Sequence, residues 1–208
     1  MQSRNLFYPS SGTDLRIPVE TFLPWISDFW FVDHRYDFNK ALREFLKYEF
    51  INQNIYSANG ITIRKKEAFE VKILSRTFRR KNNNKIFRIH KCCGRGYDTF
   101  RRLIKDEKKL VSFFFYRGDS FGDGGSGFYW LRTTGVLKNV LESLENNGLI
   151  ITDGSNADKH FKFENKDYSW QKAIEEEYSF RLYDRNFKCI GYAGERYGPT
   201  LIWQVQRI

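Results

Sequence analysis

Short apolar runs alternate along this chain with segments whose apolar residues recur at helical spacing. Asn5-Leu6-Phe7-Tyr8 runs into Pro9-Ser10-Ser11-Gly12-Thr13-Asp14, and Phe29-Trp30-Phe31-Val32 is stopped by Asp33-His34-Arg35. Both read as strands that end in polar turns. Phe38, Ala41, Leu42, Phe45 and Leu46 then repeat at i, i+3, i+4, i+7 and i+8, which predicts a core-facing helix. Residues 69–78 and 85–93 are rich in β-formers and flank Arg79-Arg80-Lys81-Asn82-Asn83-Asn84, so they predict an antiparallel hairpin with a basic tip, its second arm continuing into the main sheet. After Gly94-Arg95-Gly96-Tyr97-Asp98, the positions Phe100, Leu103 and Ile104 mark a short helix that leads into the strand 110–115. Val136, Leu137, Val140, Leu141 and Leu144 mark another helix, for which Asn147-Gly148 reads as the stop. Leu149 to Thr152 is a further strand, Trp170 to Glu177 a short helix, and the chain closes on two strands, 178–183 and 200–206, linked through 187–192.

Strands alternating with helices predict a mostly parallel, doubly wound α/β sheet, and the closing strand pair predicts an antiparallel edge. A length of 208 residues suits one domain, 1–208, with residues 64–93 as a basic hairpin elaboration.

The sharpest local change follows Leu110-Val111-Ser112-Phe113-Phe114-Phe115. The chain passes there into Tyr116-Arg117-Gly118-Asp119-Ser120-Phe121-Gly122-Asp123-Gly124-Gly125-Ser126-Gly127. A glycine-rich polar loop at the carboxyl end of a buried strand stands where open α/β sheets hold their ligands. Gly118, Gly122, Gly124 and Gly125 allow close backbone approach, Ser120 and Ser126 offer hydroxyls, and Arg117 offers a cation for an anionic group.

Charge sharpens the picture. The chain carries a net charge of +10, and residues 64–109 hold 17 Lys and Arg against 5 Asp and Glu, so one segment accounts for the whole excess. Such a surface concentrates anionic partners, nucleotides or nucleic acid. Arg79, Arg80, Lys81, Lys85 and Arg88 are the candidates for gripping a phosphate backbone, with Phe78 and Phe87 beside them. Three cysteines, two of them adjacent, give no disulfide framework and suit a reducing compartment. The start of the chain has no signal-peptide pattern and no apolar run reaches the ~20 residues of a membrane span, so a cytoplasmic protein without a membrane partner is expected.

The order of elements resembles the class I S-adenosylmethionine-dependent methyltransferases, whose Rossmann-like sheet ends in an antiparallel strand. The turn Ser10-Ser11-Gly12-Thr13-Asp14 stands where that family places its glycine-rich cofactor turn. Asp33, 21 positions after Gly12, stands where the family's acidic residue holds the ribose hydroxyls. Asp98 or Tyr97, after Cys93-Gly94-Arg95-Gly96, stands at the turn whose polar residue faces the adenine in that family, and Asp119 at the substrate-facing turn. The resemblance implies S-adenosylmethionine as a possible cofactor and an adenosine- or nucleotide-type ligand. It leaves open an active enzyme, a non-catalytic nucleotide-binding, sequestering or inhibitory protein, and a basic nucleic-acid binder. Asp119 and His34 are the candidate proton-transfer groups, His34 because an imidazole titrates near neutral pH. His90, Cys92 and Cys93 lie close together, but a structural metal site needs four ligands and no second Cys/His pair is present, so no metal is expected.

Overall fold

The computed structural model describes residues 4–36, 45, 47–62, 65–117, 130–152, 161, 170–193 and 200–208. The chain divides into two compact units, Met1–Leu110 and Val111–Ile208.

In the first unit β1 (Asn5–Pro9) pairs in parallel with β2 (Asp28–Asp33), and the helix α1 (Arg16–Phe22) connects them. β2 pairs in parallel with β5 (Ile86–Cys93) on its other side. β5 then pairs antiparallel with β4 (Ala68–Arg79), and β4 antiparallel with β3 (Glu49–Ile61). The order across this sheet is β3-β4-β5-β2-β1. Alternation along β2 and β5 sorts their side chains to two faces. Phe29, Phe31, Phe87 and Ile89 share the face on which Phe78 stacks on Phe87 at 5.5 Å and the Tyr48 ring meets Phe87 edge-on at 4.9 Å. On the opposite face Phe7 meets Phe100 of α2 (Gly96–Phe100) edge-on at 5.0 Å. A π-helical turn, Arg101–Lys105, continues α2, with the Asp106 amide donating to the Arg101 carbonyl at 2.8 Å.

In the second unit β6 (Val111–Tyr116) pairs in parallel with β7 (Leu144–Thr152) across the helix α3 (Thr134–Ser143). β7 pairs antiparallel with β10 (Thr200–Arg207), β10 with β9 (Arg185–Ala193), and β9 with β8 (Ser179–Leu182). The short helix α4 spans Trp170–Glu175. Val136, Leu137, Val140 and Leu141 form the buried stripe of α3. Phe161 sits among Phe180, Phe187 and Trp203, 5.3 to 5.9 Å away and edge-on to each.

This architecture overturns the doubly wound, helix-flanked Rossmann-like α/β fold. Ten strands in mixed sheets dominate the described residues, and the four α-helices there have 5 to 10 residues. Two causes stand out. The hairpin's second arm, β5, joins the main sheet beside β2 as expected, but the hairpin is no peripheral elaboration, since β4 and β3 extend that same sheet outward. Glu49–Ile61, which has no period-2 alternation, forms a thirteen-residue strand because β4 offers it a full ladder of backbone partners. The stop at Asn147-Gly148 is also displaced: α3 ends at Ser143, and Asn147, with φ of 62°, and Gly148 form an irregularity inside β7. A side chain at Gly148 would stand 2.8 Å from the Glu145 carbonyl oxygen, which is why glycine occupies that kink. The helix expected over 38–46 falls, apart from Phe45, outside the described residues.

The ring ladder of the first unit carries a stability prediction. Phe87 is buried and Phe50, at the edge of the same ladder, is 54% exposed. Phe87→Ala is expected to cost about 3–5 kcal/mol and Phe50→Ala less than about 1 kcal/mol, read from urea denaturation midpoints. Equal losses would contradict this placement of the core.

Candidate functional site

The carboxyl ends of β1, β2 and β5 bring three turns to one end of the first unit's sheet. The first is the turn after β1, where Ser10 and Gly12 both adopt left-handed backbone angles, φ 54° and 52°. The Ser11 amide donates to the Val32 carbonyl at 3.1 Å, extending the β1–β2 ladder by one rung. Asp14 accepts from the Tyr8 hydroxyl at 3.3 Å, and the Asp14 amide donates to the Ser11 carbonyl at 2.9 Å. The hydroxyls of Ser11 and Tyr36 are hydrogen-bonded to one another, and burial pushes the Tyr36 phenol up from its ordinary value.

Asp33 ties two of the turns together. One carboxylate oxygen accepts from the Gly12 amide at 3.1 Å and the other from the Arg35 amide at 2.8 Å. The residue expected to hold ribose hydroxyls therefore holds backbone amides at both oxygens. The Gly94 amide reaches the Asp33 carbonyl at 3.4 Å, which joins the third turn.

Beside these turns lies a cleft of about 250 Å³. One wall is His34 with Cys93, Gly94, Arg95 and Asp98, and the other is Thr62 and Glu67 of the β3–β4 connection with Ala68, Phe69 and Glu70 at the start of β4. That connection is closed by the Thr62 amide donating to the Glu67 carbonyl at 2.8 Å and by the Glu67 amide donating to the Thr62 hydroxyl at 3.2 Å. Gly94 is required by space: a Cβ there would stand 2.8 Å from Thr99 Oγ1 and 3.2 Å from Val71 Cγ2. Asp98 lies in the first turn of α2, and its carboxyl is raised above the usual value by burial, against the opposing pull of Arg95 and Arg101.

Of the residues singled out by sequence, His34 and Asp98 meet at this cleft. Ser10, Ser11, Gly12, Thr13, Asp14 and Asp33 stand at the same end of the sheet but do not line it. Arg117 belongs to the second unit, just past β6 and half-buried. Gly118, Asp119, Ser120, Gly122, Gly124, Gly125 and Ser126 lie outside the described residues. Three of the five candidate phosphate-gripping cations have partners within the fold. Lys85 donates to the Leu23 and Pro24 carbonyls at 2.8 Å each, Arg79 pairs with Glu49 at 3.3 Å, and Arg88 forms a two-pronged pair with Asp28 at 2.5 and 3.1 Å. His90 and Cys92 share one face of β5, while Cys93 points to the other and reaches the cleft. Among the described residues no group of three or more His, Cys, Asp and Glu is placed to hold a metal ion, and no helix is long and apolar enough to cross a membrane.

Sequence reasoning missed the Thr62–Glu70 wall because β3, which delivers it, carries no readable periodicity. The nearest signal was the β-rich run starting at Phe69, which pairs with β3 on one side and with β5 on the other. Compared with models of protein families, with curated proteins and with solved structures, the chain matches none.

Two outcomes follow from this geometry. Gly94→Ala must displace Thr99 or β4 and is expected to cost about 1–3 kcal/mol in chemical denaturation. Because the folded-state pKa of Asp98 is raised, its ionisation works against folding: the stability it retains in acid is lost as pH rises through that raised value. Asp98→Asn is therefore expected to melt higher than the parent protein at neutral pH. The gap should close as pH falls below the ordinary aspartate range, and a gap that grew in acid would refute the assignment.

Proposed function

We propose that the first unit binds a small nucleoside-type ligand, of low negative charge, in the cleft between the β2 and β5 turns and the β3–β4 connection. The observation that carries this reading is the composition of the cleft. It lies at the carboxyl ends of two parallel strands and presents Asp98, Glu67 and Glu70, with Arg95, His34 and the Phe69 ring. Carboxylates accept hydrogen bonds from a ribose diol or an exocyclic amine, and an aromatic ring offers a face to a base. Among the described lining residues three carboxylates stand against one guanidinium, which favours a nucleoside or a thioether-linked nucleoside such as S-adenosylhomocysteine over a nucleoside triphosphate. Binding is the reading here, and methyl transfer is not part of it. A cytoplasmic setting accords with it, since Cys92, Cys93 and Cys189 are all free thiols.

Thermal shift and calorimetric titration against adenosine, S-adenosylhomocysteine, S-adenosylmethionine and ATP test this reading. A ligand at a hundred times its Kd should stabilise the unit by about 2.7 kcal/mol. Adenosine-type ligands are expected to shift the melting temperature more than ATP does, and Asp98→Ala or Phe69→Ala to abolish the shift. No shift with any of the four, or a shift that survives Asp98→Ala, would overturn the proposal.

A further inference from the structure

Among the described residues β3 is the outer strand of the first unit's sheet, paired on one side only, to β4. Its thirteen residues, Glu49 to Ile61, span roughly 40 Å at about 3.3 Å per residue. Every residue except Ala58 and Gly60 is exposed, among them Phe50 at 54%, Ile55 at 59% and Ile61 at 63%. Outer strands in monomeric proteins are normally guarded by shortness, by lysines or other charges, or by proline. This one has no Lys, Arg or Pro, and its single charge, Glu49, is engaged by Arg79. The charges sit one strand further in, on β4, at Glu70, Lys72, Arg76 and Arg79.

The same chain shows what a guarded outer strand looks like. β8, the outer strand of the second unit, has four residues including Arg181, with Glu175, Glu176 and Glu177 before it and Asp184 and Arg185 after it. The contrast marks β3 as an edge built to be paired. It is also held ready: the Phe69 ring lies over Gly60, where a Cβ would stand 2.6 Å from it, and this pins the far end of the strand.

We propose that β3 is the surface through which two copies of this chain associate, their β3 strands pairing antiparallel about a twofold axis. Three features favour a second copy over an extended segment of another protein. An antiparallel strand can pair with itself about a twofold, so one surface supplies both halves of the interface. With the axis at Gln53, Gln53 faces its own copy and Asn52 faces Asn54, so amides that both donate and accept satisfy one another across it. Two molecules of net charge +10 repel over most of their surfaces, but β3 itself carries no cation, and the arginines beside it, Arg76, Arg79 and Arg102, are hydrogen-bonded to Gln53, Glu49 and the Asn59 carbonyl. The inference is independent of the ligand cleft.

Sedimentation equilibrium of the full chain tests it. The parent protein is expected to be a dimer, and Asn52→Lys with Asn54→Lys, which sets like charges opposite one another on either side of the axis, to weaken the dimer about 100-fold. Far-ultraviolet circular dichroism of that variant should match the parent. Mixing it with the Asn52→Glu, Asn54→Glu variant should restore dimers. A parent chain that stays monomeric up to about 100 μM would overturn the proposal. A dimer that survives both lysines, or open-ended oligomers in place of a closed pair, would overturn it equally.

Discussion

β2 is hydrogen-bonded in parallel on both of its edges, to β1 and to β5, and that constraint organises the first unit. Parallel neighbours must all end at the same side, so the chain has to turn there three times. The three turns then compete for one small region and need their exposed amides satisfied. Asp33, at the end of the central strand, meets that need by accepting from the amides of Gly12 and Arg35. With the turns tied down, the Cys93–Asp98 segment is presented toward the β3–β4 connection and the cleft has two fixed walls.

The opposite end of the same three strands is handled by charge. Asp28, 3% exposed, accepts from Arg88 and from Ser27 Oγ at 2.8 Å, and lies 3.3 Å from His90 Nε2. Burial lowers the His90 pKa more than the nearby Asp28 carboxylate, within hydrogen-bond reach of Nε2, raises it. The ring also stacks on Trp30 at 3.8 Å, the Lys109 ammonium stands 4.8 Å from the same indole, and the indole N–H donates to Asn5 at 3.1 Å. A carboxylate buried among these partners fixes the register of β1, β2 and β5, because a one-residue slip would carry Asp28 to the apolar face occupied by Phe29.

Much of the strand inventory was legible. Apolar runs at Leu6, Phe29, Phe113 and Ile150 are strands because continuous burial selects aromatic and β-branched side chains. The stripe Val136, Leu137, Val140 and Leu141 is a helix for the same reason at another period. Glu49–Ile61 was not legible, since both of its faces are exposed and no alternation is imposed on it. Without that strand the basic hairpin looked peripheral and the pattern around it looked like repeated β-α units. Of the site, Asp98 and His34 were visible as polar residues after strands, whereas Glu67, Phe69 and Glu70 were indistinguishable from other residues of a basic, mixed segment.

Composition and periodicity by themselves determined where the buried strands and the α3 stripe lie, and that the positive charge is concentrated in residues 64–109. Those properties are local, set by each segment's own burial and side chains. Tertiary structure alone decided that β5 joins β2 in parallel and that β3 pairs with the outer side of β4, that Asp33 accepts from backbone amides, and that Lys85, Arg79 and Arg88 have partners within the fold. The contacts of Asp33 with Gly12 and of Lys85, Arg79 and Arg88 with their partners join residues 21 to 62 positions apart, and a chain's local pattern carries no information about which distant donor will reach a given acceptor.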